Sequence, residues 1–397
     1  MASRVRPLCT LGVAVLAVAA VVWRPGGGPA ARAQSEGGQA GSPALFYWKA
    51  TVQDSEADLR REARRRHLVF HAKAHQARIL KQENPRLPVV AYTLPGGTYV
   101  GEEAFAVIDA QDAWWIRDAR GSRLQEEPKR TGVWLLDLSQ TAYREFVKHR
   151  VVEEVSSALF DGVFFDVSGP SWVPRKQWYD QRGRPSEVPA WYEAAWPDLI
   201  LSFHREIHPM LGGKLHLFNS WPLGPGTYRE FQRHYDATLE VVDGVQIDGF
   251  GYNRTRPWPE RMWRFQVQEA RRLAALGKTV LLKCWARHDA SALDERLRTF
   301  CYTSYLMAAD GRRIYYWDLD GWRDDLFTLG LGAPLGDPVR LETGLYRREF
   351  ANAVVFVNPG EESARLTVGA SLLSASGAAH SATLLRPQSG VILFRRR

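Results

Sequence analysis

Cysteine is nearly absent: there are three in 397 residues, at positions 9, 284 and 301. So few exclude a disulfide-stapled scaffold, and none has the spacing of a zinc site. Cys9 has no lipobox-like context. Cys284 and Cys301 read as two buried thiols, with a disulfide as the other possibility. Long apolar runs are absent beyond the N-terminus, so no internal stretch can span a bilayer. No tract of one charge sign exists either. The net charge of +8 is spread along the chain, and its densest patch, Arg61 to Arg66, falls in an expected helix as a solvated face. No nucleic-acid-binding module is recognisable, so no nucleic-acid partner is expected. No glycine-rich dinucleotide loop follows the first strand, which argues against a doubly wound sheet. No HExxH pattern accompanies His204 and His208, which lie four apart on a peripheral helix. No metal and no cofactor are expected.

What is present begins with an export signal. Arg4 and Arg6 precede an apolar run from Leu11 to Trp23, followed by Ala31-Arg32-Ala33. A positive start, a short apolar core and a small-x-small site define a secretory signal over residues 1–33. Cleavage leaves no membrane insertion; an uncleaved N-terminal anchor is the alternative. Residues 34–42 read as a linker. The 15 tryptophans are a high count; an excess over core needs suits a cleft that stacks flat ligands, and ordinary core packing is the other reading for each.

From residue 43 short apolar runs alternate with helical patterns. The runs are Leu45–Lys49, Leu68–His71, Val89–Thr93, Asp161–Val167, Lys214–Asn219, Val242–Phe250, Thr279–Trp285 and Arg313–Asp318. The clearest helices are Asp54–Arg66, Thr141–Leu159, Ala190–Leu211, Pro259–Leu276 and Ala292–Ala309. Ser139 or Thr141 is expected to cap the second of these, Pro259 to open the fourth and Gly277 to end it. Near-continuous apolar strands require burial on both faces. Eight of them alternating with helices predict an α/β fold, a (β/α)8 TIM barrel over 43–336. Two insertions interrupt the rhythm, Pro95 to Val133 and Ser168 to Pro189, and both leave from strand C-terminal ends. The first is expected to be a long loop with a hairpin. Residues 337–397 carry alternating strands and turns, which predict a small C-terminal all-β domain.

The sharpest feature is an internal echo. Asp161-Gly162-Val163-Phe164-Phe165-Asp166 recurs as Asp243-Gly244-Val245-Gln246-Ile247-Asp248. Each strand opens and closes with a carboxylate, and the closing one lies at the C-terminal end, where barrel enzymes place their chemistry. By count these are strands four and six. Glycosidic cleavage needs two carboxyl groups across one pocket: one protonates the leaving oxygen, the other attacks the anomeric carbon or activates water. The competing reading is that each aspartate caps a loop. The opening residues, Asp161 and Asp243, are expected to hold helix–strand turns at the opposite end.

These two motifs resemble the glycoside-hydrolase-like TIM-barrel family numbered fifteen. So do Arg348-Glu349-Phe350 through Val355-Phe356-Val357-Asn358-Pro359, and Leu385 to Leu393. The resemblance covers most of residues 43 to 397. It implies a retaining-type barrel with Asp166 as the strand-four nucleophile and Asp248 as the strand-six acid/base. Asp248 is one methylene shorter than the glutamate often found there. The resemblance carries a reaction class and no substrate.

Further strand-end residues are candidates for binding sugar: Trp48, His71, Lys73, Tyr92, Asn219, Trp221, Lys283, Trp285 and Asp318, with Trp317 as another stacking platform. Lys283 and His71 could meet an anionic or amino sugar. The expected partner is therefore an extracellular carbohydrate, cleaved by a hydrolase. A barrel that binds carbohydrate without cleaving it is the alternative, and the separation of the two carboxylates discriminates the two.

Overall fold

The computed structural model describes residues 47–51, 53–127, 132–253, 255–286, 292–318, 323–368, 372–378 and 382–396. The expected signal, Cys9 and the linker lie outside them. Eight parallel strands follow one another around a single sheet in chain order: Tyr47–Lys49, Leu68–Phe70, Val89–Thr93, Gly162–Phe165, Leu215–Phe218, Gly244–Asp248, Thr279–Cys284 and Ile314–Asp318. Strand one lies beside strand eight, which brings the sheet round into a barrel. A helix follows each of the first seven strands, and the short Asp324–Phe327 follows the eighth, so the fold is the expected (β/α)8 barrel.

Both faces of the sheet are buried, but against different partners. Leu68, Phe70, Val90, Phe164, Leu215, Leu217, Leu281, Tyr315 and Trp317 fill the barrel interior. Their strand neighbours Val69, Ala91, Val163, Phe165, Phe218, Val245, Ile247, Val280 and Tyr316 pack outward against the helices. Gly162 and Gly244 lie on the inward side at the lower end. A Cβ on Gly162 would come within 2.4 Å of the backbone oxygen of Leu215, and one on Gly244 within 2.4 Å of that of Thr279. Glycine is required there because strands converge. At the same end Asp161 accepts from the backbone N–H of Val89 (2.8 Å) and Asp243 from that of His216 (2.8 Å). The opening carboxylates thus hold the start of the preceding strand, the structural task expected of them.

Several local expectations need correction. Helix Ala74–Glu83, between strands two and three, has a polar sequence and escaped the pattern. Neither Ser139 nor Thr141 caps helix Thr141–Ser156; Gln140 is the N-cap without a side-chain capping bond, while Ser139 Oγ donates to Asp137 (2.6 Å). Pro259 is the N-cap residue, one position before the helix. Gly277 does end that helix, with φ of +82°. The two insertions are not separate loops. Gly97–Thr98 and Leu124–Gln125 from the first, with Trp134–Leu135 directly after it, join Trp178–Asp180 and Pro185–Ser186 from the second in one antiparallel sheet.

Beyond the barrel, Pro334–Arg340, Tyr346–Phe350, Ala353–Asn358, Ser389–Arg395 and Leu372–Leu373 form an antiparallel sheet, beside a two-stranded ladder of Ala364–Thr367 with Ala382–Leu385. This β unit has its own small core of Leu345, Val354, Phe356, Leu366, Leu372, Leu385 and Leu393. It docks on helix Ala292–Ala308. The buried Arg348 donates through one guanidinium nitrogen to the carbonyls of Leu306 (2.7 Å), Met307 (3.0 Å) and Ala309 (2.7 Å), the unsatisfied acceptors at that helix's end. Cys284, ending strand seven, and Cys301, on the same helix, form a disulfide, correcting the reading as free thiols. Their approach is a tertiary event that spacing alone does not reveal.

Candidate active site

Inward-facing residues at the C-terminal ends of the strands come together at the barrel mouth. Strand one supplies Lys49, in register with Phe70 of the interior. Strand three supplies Tyr92, strand seven Lys283 and strand eight Trp317. Asp166, Asn219 and Asp248 close strands four, five and six.

The carboxylates are linked through Asn219. Its amide nitrogen donates to Asp166 Oδ1 at 2.6 Å and lies 3.5 Å from Asp248 Oδ2. Those two oxygens can therefore be no farther apart than about 6.1 Å, the sum of the 2.6 and 3.5 Å legs. Asp166 also accepts from the hydroxyl of Tyr92 (2.6 Å) and the backbone N–H of Val167 (2.8 Å). Burial, and then the adjacent Asp166 carboxylate, push the Tyr92 hydroxyl well above its usual range, so it stays a donor. Asp248 accepts from the Trp285 indole N–H (2.5 Å), and the Lys283 ammonium stands 3.4 Å away. That ammonium also lies 3.7 Å from the Trp285 ring centre and 4.9 Å from that of Trp317.

Backbone strain concentrates here. Among the described residues, His71, Val167 and Ser220 have φ of +63°, +45° and +80°, and each directly follows the mouth end of its strand or the functional residue closing it. A β-branched valine at positive φ is a costly conformation. In return the Val167 N–H turns back onto Asp166, and the Ser220 N–H turns back onto Asn219 Oδ1 (2.6 Å). The strain fixes the two side chains from behind.

His71 stacks on Tyr92, ring centres 4.0 Å apart, as expected of a mouth residue. Burial first, then the Lys49 and Lys73 ammonium groups, pull its pKa down to about 3, so it is neutral under ordinary conditions. Lys73 itself is exposed and touches neither carboxylate; its residue caps helix Ala74–Glu83. Three candidates are corrected. Trp48 packs outward with the helix-facing cluster, in register with Val69. Trp221 is fully buried beside Phe218 and Tyr235, so it is core and offers no platform. Asp318 faces outward into a buried ion pair with Arg298 (3.1 Å). Trp48 and Asp318 share one cause: inside a doubly buried sheet, polarity does not tell inward from outward, whereas Trp221 lies beyond the end of strand five, in core under the following loop. The residue missed is Lys49, adjacent to Trp48, whose only signal was a lysine ending an apolar strand. Trp285 is at the site, but through a hydrogen bond to Asp248 as well as its ring face.

The sequence profile of hypothetical glycosyl hydrolase family 15 matches residues 81–354, more than half of the chain, including both carboxylate strands. The chain belongs to this family. Membership places it among the glycosidases. No curated protein sequence matches it. Among solved structures it is similar to the glycoside hydrolase domain of PelA from Pseudomonas aeruginosa, at 18% identity and a TM-score of 0.41, covering 66% of this chain and 92% of that one. An α-amylase from Anoxybacillus is similar at 10% identity and a TM-score of 0.49, covering 89% and 99%. A maltogenic α-amylase, AmyB, from Thermotoga neapolitana is similar at 13% and 0.49, covering 88% and 98%. Within this family member, no group of three or more potential metal ligands occurs among the described residues, and no described helix is long and apolar enough to cross a membrane.

Proposed function

We propose that this family member is an exported retaining glycoside hydrolase, with Asp166 as nucleophile and Asp248 as acid/base, acting on an extracellular poly- or oligosaccharide. The observation that carries this reading is the single amide, Asn219, within reach of both carboxylates. The 2.6 and 3.5 Å legs keep one oxygen of each carboxylate within about 6.1 Å of the other, so the two groups share one pocket and the roughly 5–5.5 Å carboxyl separation of retaining enzymes is within reach. Asp166 is held by three donors, from Tyr92, Asn219 and Val167, which suits a carboxylate that must stay ionised and aimed at the anomeric carbon. Asp248 has one close donor, the Trp285 indole at 2.5 Å, with Lys283 at 3.4 Å and Asn219 at 3.5 Å, a looser hold that suits a group that gives a proton to the leaving oxygen and takes one from water. In the first step the Asp166 oxygen bonds to the anomeric carbon as the glycosidic oxygen leaves with the Asp248 proton. In the second, water deprotonated by Asp248 displaces Asp166.

The test is a screen of defined polysaccharides followed by two variants. Asp166→Asn should abolish hydrolysis while leaving binding intact, because an amide of the same shape cannot attack. Asp248→Asn should slow ordinary glycans strongly and activated aryl glycosides much less. Rescue of Asp166→Asn by a good leaving group would reverse the roles, and near-wild-type rates for both would favour the carbohydrate-binding alternative. Export is supported by the N-terminal signal pattern and by the Cys284–Cys301 disulfide, a bond that persists in oxidising compartments. Secreted material should begin near Gln34; material that retains Met1 in the membrane fraction would instead mark an anchor.

A further inference from the structure

The barrel mouth holds two ammonium groups beside its two carboxylates, and of the two only Lys283 is in ion-pair contact with a carboxylate. Lys283 lies against Asp248, Trp285 and Trp317. Lys49 is half-buried, with its ammonium 5.6 Å from the centre of the Tyr92 ring, the ring whose hydroxyl binds Asp166. Among the described residues it has no hydrogen bond and no ion pair. Burial is the largest influence on its pKa and lowers it; Asp166 opposes that, Lys283 adds to it and Asp248 opposes it. A half-buried ammonium without a hydrogen-bonded partner is costly, and the Tyr92 ring face offsets only part of that cost.

Catalysis worsens the imbalance. In the mechanism proposed above Asp248 carries a proton when substrate binds, so Lys49 and Lys283 together face one ionised carboxylate, Asp166. His71, stacked on Tyr92, is neutral and adds no charge in either direction. The hydroxyls of a neutral sugar can accept a hydrogen bond from Lys49 but leave the surplus charge in place. An anionic substituent removes both deficits at once. We infer that the sugar unit seated at the carboxylate pair carries an acidic group, a carboxylate or a sulfate, that accepts from the Lys49 ammonium. This inference rests on the glycosidase reading and specifies its substrate class.

The experiment measures kcat/KM on acidic polysaccharides, each paired with its own neutral counterpart: carboxyl-reduced for uronate polymers, desulfated for sulfated ones. Losing a charge-assisted hydrogen bond corresponds to roughly tenfold to a hundredfold in rate. The acidic member of at least one pair should therefore be cleaved faster by that factor, and which type of pair responds identifies the acidic group. Lys49→Gln should collapse the ratio, whereas Lys49→Arg, which keeps the charge, should retain most of it. Equal or faster cleavage of the neutral members would overturn the inference and leave the glycosidase standing. A preference unchanged in Lys49→Gln would overturn the role of Lys49. Failure of the wild-type protein to cleave any member, while it cleaves another glycan in the polysaccharide screen above, would overturn this inference and leave the glycosidase reading standing; failure in both would defeat the two together.

Discussion

Replacing Arg348 with alanine should destabilise the whole protein, although the residue is far from the carboxylates. The side chain is 4% exposed and its guanidinium satisfies three carbonyls at the end of helix Ala292–Ala308 and a fourth, that of Gly336, at 3.2 Å. A buried acceptor left without a donor costs about 1–3 kcal/mol. Taking the low end for the three helix carbonyls gives a loss of about 3 kcal/mol, and the lost packing of the arginine stem raises it toward about 4. Water admitted to the vacated space limits the rise beyond that. Urea unfolding followed by tryptophan fluorescence and circular dichroism measures this. Both probes should shift together in Arg348→Ala, because the residue joins the C-terminal β unit to a barrel helix. Arg348→Lys, which can reach one or two of the carbonyls, should lose about half as much. A change below about 1 kcal/mol would refute the capping argument. Two separate transitions, with only one displaced, would show that the β unit unfolds on its own.

Two further outcomes are expected. Thiol titration of the unfolded, unreduced mature protein should find Cys284 and Cys301 unreactive, and replacing both with serine should cost about 3 kcal/mol, the value for a loop of about 15 residues against the 17-residue separation here; two free thiols would contradict the pairing. Acid should destabilise the protein through the buried His204, whose pKa burial pulls from 6.5 to about 4. The folded state then binds fewer protons than the unfolded chain between those values, so this stability is complete above pH 6.5 and is lost as pH falls toward 4, by up to about 3 kcal/mol. His204→Gln should reduce the slope of the unfolding free energy across that window, leaving the part that the similarly depressed His71 and His216 contribute, and an unchanged slope would show that the His204 pKa is not depressed in the folded state.

The eight barrel strands were legible because strands buried on both faces must be apolar throughout, and the paired carboxylates because they broke that rule at matching places. The same uniformity hid side-chain parity. Trp48 and Lys49 are neighbours in a three-residue strand, and nothing in Tyr47-Trp48-Lys49 says which faces the axis. Trp317 and Asp318 pose the same ambiguity, and there the outward residue was the charged one, satisfied by Arg298. Tyr92 and Asn219 were found because a polar group ending a strand beside a carboxylate has few other tasks. The strained residues Val167 and Ser220 left no trace, since neither type favours positive φ. The insertion sheet was invisible for another reason: most of its strands are two residues long, below any period that a sequence displays.

That sheet ties the two insertions into one heritable part. Leu124–Gln125 of the first pairs with Trp178–Asp180 of the second, and that strand holds Pro185–Ser186 in turn. A chimera that grafts one insertion onto another barrel would therefore carry a bare ladder edge, open to pairing with any neighbouring chain. Loop exchange between relatives should succeed only when the segments after strands three and four travel together, so that recombination, like sequence divergence, is constrained to act on both at once.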